Sequence, residues 1–275
     1  MQHADVDTLI LSDLHLGAEI SRARDALDLI RSLRFRRLIL LGDIFADLNF
    51  RRLTKAHWQF LGHIRKLSNP KRGTQVIWVE GNHDEGLSDV MSHLVGVPVY
   101  RQFVWEFQGK RHIAIHGHQF DRFAVNNVSI SRLGEWIFHE MQKLDHKNKR
   151  FVRYLDRLNT RWLRLSAKVA HGALSYAKQG KAERIFCGHT HVAAQRQRDG
   201  IEYFNSGGWI DRQCTYITIG EEGVQIHEYS GYRIDDSDTG EEREPAPAEV
   251  IEFPVPAGLS PDVQYDGVPY ESIPC

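Results

Sequence analysis

Five short segments hold the residues of this chain that could do chemistry: Asp13-Leu14-His15, Gly42-Asp43, Gly81-Asn82-His83-Asp84, His116-Gly117-His118 and Gly188-His189-Thr190-His191. Imidazole and carboxylate ligands suit Zn, Mn, Fe and related divalent ions, and the absence of cysteine from all five segments argues against a structural zinc knot. In an extended strand end, Asp-x-His sets alternate side chains on one face. His189 and His191 repeat that spacing, so each can face a different ion. Seven ligands are too many for one tetrahedral ion. They suit two ions ~3.5–4 Å apart bridged by a shared carboxylate, the arrangement used for in-line phosphoryl displacement. Taken singly, each segment is weak, because a lone His-x-His or Gly-Asp is more often an ordinary turn. Their joint occurrence, each time just after an apolar run, carries the inference.

The elements that must position these segments follow from apolar periodicity. Asp7–Leu11, Arg37–Leu41 and Thr74–Val79 read as strands, and Ser21–Leu33 and Leu53–Leu67 as amphipathic helices between them. This β-α-β-α-β order predicts a parallel sheet with functional loops at the carboxyl ends of its strands. Phe103–Phe107 and His112–Ile115 read as a hairpin, and about 122–182 as helical. Strands return at Arg184–Cys187, Ile201–Phe204, Cys214–Ile219 and Val224–Tyr229, as antiparallel pairs turned at Asp199-Gly200 and Glu222-Gly223.

Charge is unevenly distributed. The chain has 275 residues, 41% hydrophobic and 26% charged, with a net charge of -1. Residues 234–275 carry eleven acidic side chains against Arg243 alone, which leaves 34 basic and 25 acidic residues in 1–233. Residues 121–184 account for most of that surplus, with fourteen Lys and Arg against six Asp and Glu. The same stretch carries Trp136, Phe138, Phe151, Leu155, Leu158 and Trp162 among its large apolar residues. The tail also holds seven of the nine prolines and reads as disordered. No apolar run approaches the ~20 residues of a membrane-spanning helix, and no secretory signal is expected at Met1–Asp7. Cys187, Cys214 and Cys275 lack CxxC spacing and fit a reducing cytoplasm.

The series Asp-x-His, Gly-Asp, Gly-Asn-His-Asp, His-Gly, Gly-His-Thr-His resembles the calcineurin-like metallophosphoesterase superfamily over residues 8 to about 229. The resemblance implies an α/β fold, a four-layer α/β/β/α sandwich with two mixed sheets, spanning 1–233 with a helical cap at about 122–182. It implies that Asp13, His15 and His191 hold one metal, that Asn82, His116 and His189 hold the other, and that Asp43 bridges them. His83 would then stand beside the substrate phosphate as transition-state stabiliser or acid, with a metal-activated hydroxide as nucleophile. The ions expected are two divalent metals, Mn first and Fe, Zn or Ni as alternatives. Many members carry Gly-Asp-x-x-Asp; here Ala46 fills the last position, which leaves Asp47 or Asp84 to orient His83. Ser12–Gly17, the cap insertion and Asn205–Ile210 resemble the UDP-2,3-diacylglucosamine pyrophosphatase-like group of lipid A synthesis. That group implies an anionic nucleotide-lipid substrate, with a cytoplasmic protein touching the inner membrane through its basic cap. His83 and His118 depart from that group, which commonly has Arg and Asp there. Hydrolysis of nucleotides, nucleic acid or another phosphoester is the alternative expectation. A non-enzymatic scaffold is the third, and it would be expected to have lost ligands that are all present here.

Overall fold

A computed structural model describes residues 6–47, 49–86, 88–121, 149–210 and 213–230. Sheet 1 is built from β1 (Val6–Leu11), β2 (Phe35–Leu41), β3 (Gln75–Val79), β4 (Val99–Tyr100), β10 (Thr215–Gly220) and β11 (Gly223–Glu228). Its order is β11-β10-β1-β2-β3-β4. Strands β1 to β4 run parallel, while β10 is antiparallel to both β1 and β11. Sheet 2 contains β5 (Gln102–Phe107), β6 (Lys110–Ile115), β7 (Arg184–Cys187), β8 (Ala194–Arg198) and β9 (Ile201–Asn205), in the order β5-β6-β7-β9-β8.

Three apolar layers hold the sheets and helices together. Along β1, Leu9 and Leu11 face α1 (Ala23–Ser32), α2 (Lys55–Leu67) and α3 (Ser88–Val95), packing with Ala26, Ile30, Phe60 and Ile64. Ile10 points the opposite way and joins Ile39, Ile77, Ile217, Phe186 and Phe204 between the two sheets. The outer face of sheet 2, through Ile113, Ile185 and Tyr203, packs on Ala170, Ala173 and Ala177 of a long helix, α4 (Lys149–Gln179). The small alanines let the helix lie close to the strands. Strands buried on both faces read as unbroken apolar runs rather than alternating ones, which is why β1, β2 and β3 were visible in sequence. The result is the expected α/β/β/α sandwich with two mixed sheets.

Two details correct the sequence reading. β7 and β9 are parallel rather than an antiparallel pair, because β8 lies between them in sequence and supplies the antiparallel partner of β9. β8 reads Ala-Gln-Arg-Gln-Arg, a mostly exposed edge strand with no apolar alternation to betray it. The β5–β6 and β8–β9 hairpins both turn on two residues with positive φ, Gln108-Gly109 and Asp199-Gly200, the left-handed pair that a tight hairpin turn needs. Of the expected cap, residues 149–179 form α4, and 122–148 lie outside the described residues, as does the acidic tail 234–275. No helix among the described residues is long and apolar enough to cross a membrane.

Candidate metal centre

Every one of the five segments lies at the carboxyl end of a strand. Asp13 and His15 follow β1, Asp43 follows β2, and Asn82 and His83 follow β3, so sheet 1 supplies three loops. His116 follows β6, and His189 and His191 follow β7, so sheet 2 supplies two. The cluster therefore sits where the edges of the two sheets meet. His57 braces the approach from α2: its Nδ1 accepts the Thr54 amide at 3.1 Å and the Gly17 amide at 3.3 Å, tying the loop after His15 to the start of that helix.

The backbone at these positions is unusual. Asp13, His15, Asp43, His189 and His191 all have positive φ, between 47° and 68°. The left-handed region costs a residue with a Cβ roughly 1–2 kcal/mol, and such strain clusters where function over-determines the geometry. The alternation expected of an extended Asp-x-His is thus not what brings Asp13 and His15 together; two left-handed kinks do. Gly42 is also left-handed, at φ 79°, and a Cβ there would run into the His116 ring. A Cβ on Gly188 would meet the Asp13 carboxylate and the Ser12 side chain. These glycines let the His116 and Asp13 side chains approach across the seam.

Side-chain atoms converge in three overlapping groups: Asp13 with His15 and His191, His15 with Asp43 and His83, and Asp43 with His116 and His189. His191 Nε2 lies 3.1 Å from Asp13 Oδ1 and 3.2 Å from His15 Nε2. His116 Nε2 lies 3.3 Å from Asp43 Oδ2, while His83 Nε2 is 3.9 Å from that same oxygen. Asp43 is therefore the carboxylate common to two groups, and its Oδ1 accepts the His83 amide at 2.9 Å. The Nδ1 of His116 is 3.0 Å from the Leu41 carbonyl oxygen, which can only accept, so Nδ1 carries the proton and Nε2 is left to face the centre.

These residues fit divalent metal ions. Asp13 Oδ1, Asn82 Oδ1 and His116 Nε2 are buried and have no hydrogen-bond partner among the described residues. Buried polar atoms are normally satisfied, and leaving one bare is costly. These N and O atoms, with Asp13 Oδ1 beside His191 and His116 Nε2 beside the Asp43 carboxylate, form the kind of donor set that a divalent cation would satisfy. The mutual electrostatics agree. Burial pushes the Asp43 carboxyl up, but the His116, His83 and His15 imidazoles outweigh it and hold Asp43 well below the usual carboxylate range. Asp13 is lowered in the same way, chiefly by His191 against its own burial. His15 falls to about 3 through burial and the adjacent His191, while Asp43 and Asp13 overcome burial to raise His116 to about 9.

A family model described as the calcineurin-like phosphoesterase superfamily domain matches residues 6–219, which include all five loops. The chain belongs to that superfamily. Membership places it among hydrolases acting on phosphoester bonds. No curated protein matches it in sequence. Among solved structures it is similar to a phosphoesterase from E. coli, at 17% identity over 80% of this chain and 91% of that one, with a TM-score of 0.45. It is also similar to an archaeal phosphodiesterase, at 14% identity over 81% and 99% with a TM-score of 0.44. The Zn-complexed Vps29 of Entamoeba histolytica is 14% identical over 84% and 94%, also with a TM-score of 0.44. None is close enough to lend this phosphoesterase its chemistry.

Within this calcineurin-like centre, His83 is oriented by neither acid considered from sequence. Its Nδ1 donates to the Ala46 carbonyl oxygen at 2.7 Å, so a backbone group does the work at the position where the second Asp of Gly-Asp-x-x-Asp would stand. Asp47 instead accepts the Asn49 amide and pairs with Arg52 at 2.7 Å. Asp84 accepts the Ile44 and Phe45 amides, both at 2.9 Å, and so clamps the loop that carries Asp43. Burial and the nearby Asp43 charge push its carboxyl up to about 7. Asp84→Ala would strand two buried amides, so we expect a loss of about 2–4 kcal/mol in stability. A denaturant melt within about 0.5 kcal/mol of the parent, the scale of a neutral surface change, would show that the clamp is dispensable.

Sequence reasoning missed the support behind these loops. Asn205 Nδ2 donates to the Gly188 carbonyl at 2.6 Å while its Oδ1 accepts the Gly207 amide at 3.0 Å. Ser12 and Ser206 hydroxyls meet at 2.7 Å, and the Trp209 amide donates to the Asp13 carbonyl at 3.0 Å. Asn205-Ser206-Gly207-Gly208-Trp209 thus braces the Asp13 loop and the His189 loop together. The signal was present as a Gly-rich segment directly after a strand.

Proposed function

We propose that the chain hydrolyses a phosphodiester or diphosphate bond using two divalent ions, one held by Asp13, His15 and His191, the other by Asn82, His116 and His189, with Asp43 shared. The observation that supports this most is the position of Asp43: this buried carboxylate groups with His15 and His83 on one side and with His116 and His189 on the other. When bound, such ions generate a nucleophile from water at neutral pH and offset charge on the phosphoryl oxygens. The chain's own groups do the rest. His83 Nε2 faces the centre, and with Nδ1 committed to Ala46, a protonated Nε2 is the donor available to a phosphate or leaving oxygen. The buried carboxylates and imidazoles keep the arrangement rigid. Manganese is the first choice of ion, and iron, zinc and nickel suit the same ligands.

For substrate, we take an anionic nucleotide-lipid such as UDP-2,3-diacylglucosamine. Support comes from the basic and apolar composition of residues 121–184 and from α4, which joins the outer face of sheet 2 beside the centre. Apolar side chains would cover acyl chains while Lys and Arg meet phosphate or an anionic membrane surface. On this reading the protein works in the cytoplasm and touches the inner membrane through that segment. A second reading, hydrolysis of a polynucleotide, is favoured by the fourteen Lys and Arg of residues 121–184, which could track a phosphate backbone.

A panel of UDP-diacylglucosamine, single-stranded DNA, single-stranded RNA, bis-p-nitrophenyl phosphate and p-nitrophenyl phosphate, with added Mn, separates these readings. Release of UMP at a rate well above that of the simple esters is the expected outcome. Turnover of bis-p-nitrophenyl phosphate with none of the lipid would sink the lipid reading. Salt-sensitive cleavage of a single strand would replace it with the second.

A further inference from the structure

We propose that Asp121 is a positioning residue for His189: its carboxylate faces Nε2 and holds the proton on that nitrogen so that Nδ1 is the one presented to the metal. This rests on the reading above that His189 is a ligand. Asp121 lies just past the 3-10 turn His118–Phe120 that follows His116, and only 3% of it is exposed. Its Oδ2 sits 3.6 Å from His189 Nε2. That nitrogen is itself buried and makes no hydrogen bond within the described residues. With Nε2 turned toward Asp121, Nδ1 is the ring atom left for the group that His189 forms with Asp43 and His116. A histidine that binds a metal typically donates its other ring N–H to a carboxylate or carbonyl, which fixes the tautomer and strengthens the ligand. His116 uses the Leu41 carbonyl in this way. Asp121 completes the same pattern for His189, from a side chain.

The carboxylate is held from the helix side. Lys168 Nζ of α4 lies 3.9 Å from Asp121 Oδ1. Phe120, the preceding residue, packs against Tyr176 of α4, with ring centroids 5.7 Å apart, and a Cβ on Gly172 would press into the Phe120 side chain. The segment from His116 to Asp121 is therefore clamped between the centre and α4. A buried carboxylate needs compensating partners, and a cation on one oxygen with an imidazole N–H on the other supplies them. Asp121 thereby couples the position of α4 to the geometry of one metal ligand.

The test uses the full chain stripped of metal and titrated with Mn, with bound ions counted, for the parent and for Asp121→Ala, Asp121→Asn and His189→Ala. Asp121→Ala is expected to weaken one of the two ions by about 10–100-fold and to leave the other at parental affinity, a split that general loss of structure would not produce. Asp121→Asn, nearly the same shape and still able to accept the N–H, should recover part of the loss. A melting curve on each variant confirms that it is folded. If Asp121→Ala and Asp121→Asn bind both ions as the parent does while His189→Ala loses one, the positioning role is overturned and the ligand assignment stands. If His189→Ala also keeps both ions at parental affinity, the ligand assignment fails and this inference falls with it.

Discussion

Asp43→Ala is expected to lower phosphoester hydrolysis by on the order of 10³-fold or more, the scale on which loss of a charge-stabilising group at a reaction centre is felt, and to bind fewer than two ions per chain. Asp43 groups with His15 and His83 on one side and with His116 and His189 on the other, so its removal touches residues assigned to both ions. It also leaves the buried His116 without the charge that holds its pKa high. The side chain is shortened rather than enlarged, and Asp84 still clamps the Ile44 and Phe45 amides, so the loop should persist. Metal analysis and turnover of bis-p-nitrophenyl phosphate on the same preparation check both halves of the prediction. A variant that kept two ions and more than a tenth of the activity would show that Asp43 does not bridge.

His83→Ala should behave differently. Here the expected loss is ~10²–10⁴ in kcat, the range of a positioned proton donor, with KM little changed and metal content intact. A group that acts mainly in the transition state lowers kcat, whereas a group that only binds substrate raises KM. His83 approaches the same Asp43 oxygen as His116, at 3.9 Å against 3.3 Å, so a rival view would make it a third ligand to the shared carboxylate's ion. The metal count decides between them: an ion lost with His83 identifies a ligand, and two ions retained alongside a low kcat identify the donor.

The convergence of the five segments was legible in sequence because each falls directly after a strand, and the strands of the first three are buried on both faces. Arg37–Leu41 and Thr74–Val79 could be read as strands from composition alone, and Asp43 and Asn82 then had to lie at their carboxyl ends. The five left-handed backbones were not legible, since neither Asp nor His announces positive φ in the way that glycine does. Orientation of His83 was invisible for another reason: the acceptor is a main-chain oxygen of Ala46, and a search confined to side chains looks instead for a missing carboxylate. Asp84 was noticed as a neighbour of His83, but its partners come from the loop after β2, a long-range pairing that spacing does not encode. β8 escaped because an exposed edge strand of Gln and Arg carries no apolar period, and the parallel pairing of β7 with β9 was lost with it. Asp121 was overlooked because it stands outside the five segments and reaches His189 only once β6 and β7 lie side by side.

The central claim is that hydrolysis depends on two ions gathered around Asp43. Its most direct test strips the protein of metal, adds back Mn in measured steps, and follows bound ions and bis-p-nitrophenyl phosphate hydrolysis together. The account predicts negligible activity in the stripped protein, with the rate rising to a plateau at two ions per chain. Hydrolysis that survives complete removal of metal, or a plateau reached at one ion per chain, would contradict it.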